Sequence, residues 1–316
     1  MVKNLEIGQR CSEITRELKL DSGGTALKAD FLLAVDVPLP WPKPVFNHEF
    51  LTGVVELLDD YFLSARLLAS VPENNDHLTV TVYELKEDVH QTKSLLHRTQ
   101  CTFHPSNLLE VLKKTFDGEI KEEVRENLQD EQVRELWLCT QGSHDICCGS
   151  AGTALYLEAE ENLHEVKIRR VSHLGGHRFA PTAVTFPDGR MWSHLNMENL
   201  EQIFNQTPVT EELIKKNRGW CGSKKGAEQI AEREGLNLYG WNWNKYHRKT
   251  IVVSENDSET KILVTGVCPE SELEVKFEVV LEEVEKTPVL SCDEAGSTPQ
   301  KWQTGYSVEM VRVLTV

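Results

Sequence analysis

A mixed α/β fold with a β-rich C-terminal extension is the architecture this sequence predicts, on three features of its patterning. Helical and extended periodicities alternate through the first 245 residues, no apolar run reaches the ~18 residues of a membrane-spanning helix, and beyond Tyr246 the pattern turns extended. The 316 residues divide accordingly into an N-terminal α/β domain over 1–130, a second α/β domain over 131–245 and the β-rich extension over 246–316.

In the first domain, Phe31–Val37 (FLLAVDV) is an apolar run halted by Pro38, Pro40 and Pro42, a buried strand ending in a proline-rich loop. From Phe50 to Leu68, the residues Leu51, Val54, Val55, Leu58, Phe62, Ala65 and Leu68 recur at helical spacing. Leu78–Leu85 (LTVTVYEL) alternates as a half-buried strand, and Pro105–Phe116 opens on a proline and a serine as a helix does. The charge-dense Gly118–Leu128 reads as a solvated helical connector.

In the second domain, Glu135–Cys139 (ELWLC) is a short strand, Gly149–Asn162 a helix and Val166–Val171 a strand. Ala183–Phe186 and Met191–His194 flank Pro187-Asp188-Gly189-Arg190, a hairpin turn in which the glycine supplies positive φ. Met197–Asn205 and Ala227–Glu234 are helices; the Gly/Lys loop at 219–226 lacks the order of a phosphate loop and reads as exposed and basic. In the extension, Thr250–Val253, Lys261–Val264, Glu272–Leu281 and Tyr306–Leu314 are strands. The two α/β halves share a rough order of elements without aligning residue by residue, which suggests a duplication.

Fifty acidic against 34 basic residues leave a formal charge of −16. Such a surface repels phosphate backbones and anionic lipid, so neither nucleic acid nor a membrane is an expected partner. The first residues, MVKNLEIGQRCSEITREL, lack the apolar core of a secretory signal, and a cytoplasmic location is expected. There, eight cysteines serve as thiols or metal ligands rather than disulfides.

Four residues carry the chemistry. Cys139 and Cys148 stand eight residues apart in CTQGSHDICC, and His173 and His177 stand three apart in HLGGH. Cys139 ends a strand, Cys148 opens a helix and His173 follows the next strand, where open α/β sheets build their sites. Gly175 and Gly176 break any helix through the histidines and let the backbone approach a bulky inorganic centre; Gly142 and Gly149 do the same for the cysteine loop. Two thiolates and two imidazoles fit a tetrahedral zinc, although the cysteine spacing exceeds the usual two to four. They also fit a 2Fe–2S cluster with both cysteines on one iron and both histidines on the other, although on spacing alone zinc ranks slightly ahead.

The remaining candidates read as structure. Cys147 is a packed thiol beside the site, although it could replace Cys148 as a ligand. Ser143-His144-Asp145 is loop chemistry near the sulfurs, because the members of a hydrolase triad meet across a fold. Cys11, Cys101, Cys221, Cys268 and Cys292 read as small buried hydrophobes. Arg169, Arg170 and Arg178 read as surface charge, and Trp192 and His194 as core and cover.

CTQGSHDICCGSAG followed by HLGGHRFAPTAVTFPDGRMWSHL resembles the sucrase/ferredoxin-like family, and the likeness extends to CSEITREL, GGTALKADFLLAVDVPLPWP, NRGWCGSKKGAEQIAER and SCDEAGSTPQKWQTGYSV. The resemblance implies a thioredoxin-like ferredoxin domain over 131–245, with a degenerate relative of that fold over 1–130. It implies that Cys139, Cys148, His173 and His177 bind a 2Fe–2S cluster. The protein would then be an electron carrier with a redox partner protein rather than an enzyme with its own substrate, and its one-electron chemistry would couple to proton transfer at the imidazoles. Glycoside hydrolysis, which the family label mentions, needs two positioned carboxylates that no spacing here singles out. Two readings compete: a zinc-stabilised Cys2His2 interaction module, and a thiol oxidoreductase using Cys147 or Cys148.

Overall fold

The computed structural model describes residues 8–61, 65–73, 77–88, 90, 92–117, 119, 133–224, 226–256, 258–295 and 297–314. Apart from Glu119, the connector predicted over Gly118–Leu128 lies outside them.

After a short helix α1 (Cys11–Glu17), the chain builds β1 (Phe31–Asp36), α2 (Val54–Asp60), β2 (Ala65–Ser70), β3 (Leu78–Glu84), β4 (His97–Phe103) and α3 (Leu108–Phe116). It then repeats the order with β5 (Glu135–Cys139), α4 (Thr153–Asn162), β6 (Lys167–Val171), β7 (Ala183–Phe186), β8 (Arg190–Trp192) and α5 (Met197–Phe204). The strands form one mixed sheet in the order β4-β3-β1-β2-β6-β5-β7-β8-β9, where β9 is Asn217–Trp220. The strand β1 lies between a parallel β2 and an antiparallel β3; β5 lies likewise between a parallel β6 and an antiparallel β7. The halves meet where β2 and β6 run antiparallel, paired at Ser70 and Val171. Glu135 fastens this junction, accepting from the Tyr83 hydroxyl at 2.7 Å, from Trp137 Nε1 at 3.0 Å and from Arg169.

The second sheet is antiparallel, β10 (His247–Glu255), β11 (Glu259–Val267), β12 (Glu274–Pro288) and β13 (Trp302–Leu314) in sequence order. A helix α6 (Glu211–Lys216) precedes β9, and α7 (Ala227–Tyr239) follows it. Ile230, Ala231 and Leu236 of α7 share a core with Leu136 and Trp192 of the first sheet and with Ile262, Val264 and Phe277 of the second. Fully buried Glu232 of α7 accepts two bonds from Arg190 of β8 at 2.9 Å and one from Arg248 of β10 at 2.7 Å, so one carboxylate neutralises two buried guanidiniums between the sheets. Among the described residues, no helix is long and apolar enough to cross a membrane.

Three readings need correction. The helical spacing over Phe50–Leu68 serves two elements: α2 ends at Asp60, and Ala65–Ser70 enters the sheet as β2. Covered on both faces beside β1, its buried LLAS run has no alternation to mark it as a strand. The supposedly exposed loop at 219–226 begins inside the fold, with Trp220 and Cys221 buried and only Lys224 well exposed among 219–224. Arg169 and Arg178 are buried rather than on the surface; Arg170 is half-buried, lying over the Tyr156 ring.

Candidate metal centre

The end of β5 and the turn before α4 bring Cys139 and Cys148 together. Cys148–Gly152 form a π-helical turn that presses against the strand end: a Cβ on Gly152 would lie 2.0 Å from the Cys139 carbonyl oxygen. One turn earlier, a Cβ on Gly149 would lie 2.5 Å from Gly142 Cα. These glycines are needed for close approach of backbone to backbone rather than for a left-handed conformation. Both thiols are buried, and their interaction draws Cys139 down well below an ordinary thiol and pushes Cys148 up.

His173 follows β6, its backbone N–H donating to Gln141 Oε1 at 3.0 Å, and its Nδ1 stands 4.0 Å from Cys139 Sγ. Gly175 and Gly176 then both take positive φ, +73° and +70°, and turn the chain so that the His177 ring comes within 5.4 Å of the His173 ring. Fully buried Arg218 of β9 holds this bend, donating to the Gly175 carbonyl at 3.1 Å and the Thr25 carbonyl at 2.6 Å. Burial lowers its pKa to about 10, and it leaves a buried cation near the two thiols.

The donor atoms fall into two overlapping sets, each within 4.8 Å of one another: Cys139, Cys148 and His173, and then His144, His173 and His177. His177 Nε2 lies 3.1 Å from the Leu290 carbonyl oxygen, to which it can only donate. Its buried Nδ1 therefore carries a lone pair and has no hydrogen-bond partner in the protein. His144 stacks on His173 with ring centroids 3.5 Å apart, and burial with two neighbouring imidazoles lowers its pKa to about 3. It is thus a neutral imidazole at the rim of the site.

Cys147 points elsewhere. Its sulfur lies 3.6 Å from Cys11 Sγ and 3.4 Å from Cys292 Sγ, with Asp145 beside all three. Hydrogen bonds from Cys11 and Cys292 draw the Cys147 thiol down, and the bond to Cys147 pushes Cys11 up. Cys11 is buried in the core, as a small hydrophobe would be, and Cys292 packs against it, but the two also converge with Cys147 on the loop after β5, a grouping the sequence reading did not include. The one local signal is that each lies in a family-like stretch, CSEITREL or SCDEAGSTPQKWQTGYSV, and that signal does not show that they meet. Arg218 escaped notice for another reason: it sits in a buried strand, NRGW, that lacks an apolar period.

A model of the sucrase/ferredoxin-like family matches residues 24–219. The chain belongs to this family. All four residues of the two motifs, together with His144 and Arg218, lie within the sucrase/ferredoxin-like match, whereas Cys11 and Cys292 lie outside it. No curated protein and no solved structure matches the chain. The family name and the Cys/His groupings agree on a protein able to hold metal.

Proposed function

We propose that Cys139, Cys148, His173 and His177 hold a 2Fe–2S cluster and that the protein carries single electrons to or from a redox partner protein. The observation that carries this reading is the division of the donors into two sets that share His173. One tetrahedral zinc would gather all four donor atoms within ~4 Å of one another. His177 belongs to no such set with the two cysteines, even at 4.8 Å. A binuclear centre suits the spread, with the thiolates on one iron and the imidazoles on the other. The buried, partnerless Nδ1 of His177 is the second support, since such a lone pair asks for a Lewis acid. Each half of the large sheet, with its β-α-β-β-β-α order, is consistent with a thioredoxin-like fold, the second half being the ferredoxin domain.

When bound, the cluster would supply reversible one-electron exchange. The protein's own part is to bind and tune. Cys139 and Cys148 are nearly inaccessible and would keep water from the sulfur side. Gln141 and Leu290 orient the two histidines through the bonds described above. Neutral imidazoles and the buried Arg218 cation reduce the negative charge at the site, which raises the potential above that of an all-cysteine ferredoxin. His177 Nε2 is the atom at which a proton is held against Leu290. The half-buried His173 borders a cleft of about 540 Å³ lined also by Leu27, Phe46 and Gly175, where a partner could approach. With a formal net charge of −16, electron transfer with a docked basic partner should slow as salt rises.

Protein purified without oxygen should be red-brown, with two irons per chain. Cys139→Ser and Cys148→Ser should lose that iron, and Cys147→Ser should retain it. A colourless protein holding one zinc on these residues would favour the interaction module instead.

A further inference from the structure

We propose that Cys11, Cys147, Cys292 and Asp145 form a second metal site, for a single thiophilic divalent cation of the zinc class. The four donor atoms lie within 4.8 Å of one another and come from three distant parts of the chain: α1, the loop after β5 and the segment between β12 and β13. Around a tetrahedral zinc with bonds of ~2.3 Å to sulfur and ~2.0 Å to oxygen, neighbouring donors stand ~3.8 Å (sulfur to sulfur) and ~3.5 Å (sulfur to oxygen) apart. The sulfur separations here are 3.6 and 3.4 Å, and Cys11 Sγ lies 3.9 Å from each Asp145 oxygen. These three separations match the edges of a zinc-sized tetrahedron, and the remaining ones lie within 4.8 Å.

The chemistry of the set selects the ion. Three sulfurs exclude the hard oxygen-seeking cations, and three thiolates with one carboxylate form a complete four-coordinate shell. A disulfide needs sulfurs ~2.05 Å apart and would use only two of the three, leaving a thiol against a carboxylate. Asp145 is held in place for this role: Oδ1 accepts the Cys147 N–H at 2.8 Å and Oδ2 the Cys292 N–H at 3.1 Å, so backbone donors from two ligand residues orient it. The Cys11 N–H, 3.4 Å from Cys292 Sγ, bonds one of the sulfurs. Binding would release up to three thiol protons, because the sulfurs coordinate as thiolates.

The consequence is a clasp. The metal would tie α1 and the C-terminal segment to the cysteine loop, and Cys292 lies two residues from Leu290, whose carbonyl positions His177. Cys147 and Asp145 lie within the family-matched residues 24–219, and Cys11 and Cys292 lie outside them.

Zinc and iron counted together by elemental analysis of the full chain, grown with both metals, test the proposal. The readout is the difference between the parent and its variants, so it stands whichever metal fills the neighbouring centre. Cys11→Ser and Cys292→Ser should each lose one equivalent of zinc and keep the metal bound by Cys139 and Cys148, whereas Cys139→Ser should keep this zinc. Cys292→Asp, which retains a donor at that position, should hold the ion more weakly but still fold. Cobalt(II) loaded in place of zinc should give tetrahedral thiolate bands that vanish in Cys292→Ser. A parent in which all three thiols alkylate freely and no zinc is present would overturn the site, as would a disulfide within the trio, or zinc unchanged in both serine variants.

Discussion

Alanine at position 152 sets two effects of opposite sign against each other. Gly152 has helical dihedrals, φ −66° and ψ −42°, where alanine is favoured over glycine by ~1 kcal/mol. A Cβ at this position, however, would stand 2.0 Å from the Cys139 carbonyl oxygen and 3.2 Å from its carbon. Both are backbone atoms at the end of β5, so no rotamer change relieves the clash. Reaching even the ~3.3 Å of a close C–H···O contact requires a retreat of about 1.3 Å between the turn and the strand. Overpacking that moves backbone costs ~3 kcal/mol, which leaves ~2 kcal/mol of net destabilisation after the helix gain. The retreat also separates Cys139 from Cys148. Thermal unfolding and iron content together read both effects: Gly152→Ala should melt several degrees lower and hold less iron than the parent. A variant that melts higher with full iron would refute the claim that this contact assembles the cysteine pair.

Three further outcomes follow from the geometry. The midpoint potential should fall with rising pH by up to ~59 mV per unit across the range where an imidazole titrates, and His177→Cys should lower the potential and flatten the slope; a flat parent profile from pH 6 to 10 would exclude proton coupling there. Arg218→Met should cost ~2–4 kcal/mol of stability and lower the potential, with Arg218→Lys restoring the potential better than the stability, because lysine keeps the charge but not the fork to Gly175 and Thr25; unaltered melting in Arg218→Met would contradict this. Burial holds His194 neutral down to about pH 4, below its unfolded value of ~6.5, so the unfolded chain protonates first and stability should decline as pH falls from 6.5 to 4. His194→Gln should lose less over that window, and parallel profiles would sink the assignment.

The four motif residues were legible because both motifs are compact in sequence and end on strands whose apolar patterns are plain. Glycines around them signalled close backbone approach, and at 142 and 149 the chain does approach itself. The second cysteine group was illegible for a geometric reason: Cys11 and Cys292 are 281 residues apart, and no periodicity links them. Buried charge was the other blind spot. Arg169, Arg178 and Arg218 look like surface residues by type, and only the fold supplies their partners: Glu135 for Arg169, the side chain of Gln303 for Arg178, the carbonyls at 25 and 175 for Arg218. Misreading β2 as helix had a simpler cause, since a strand covered on both faces loses its alternation.

Pulsed EPR of the dithionite-reduced protein, prepared with ¹⁵N-histidine in an otherwise unlabelled chain, addresses the central claim most directly. Two strongly coupled histidine nitrogens on a half-integer-spin 2Fe–2S signal are the predicted result, with one lost in His173→Cys and one in His177→Cys. A signal without histidine coupling, or an EPR-silent protein that holds only zinc on Cys139, Cys148, His173 and His177, would contradict it.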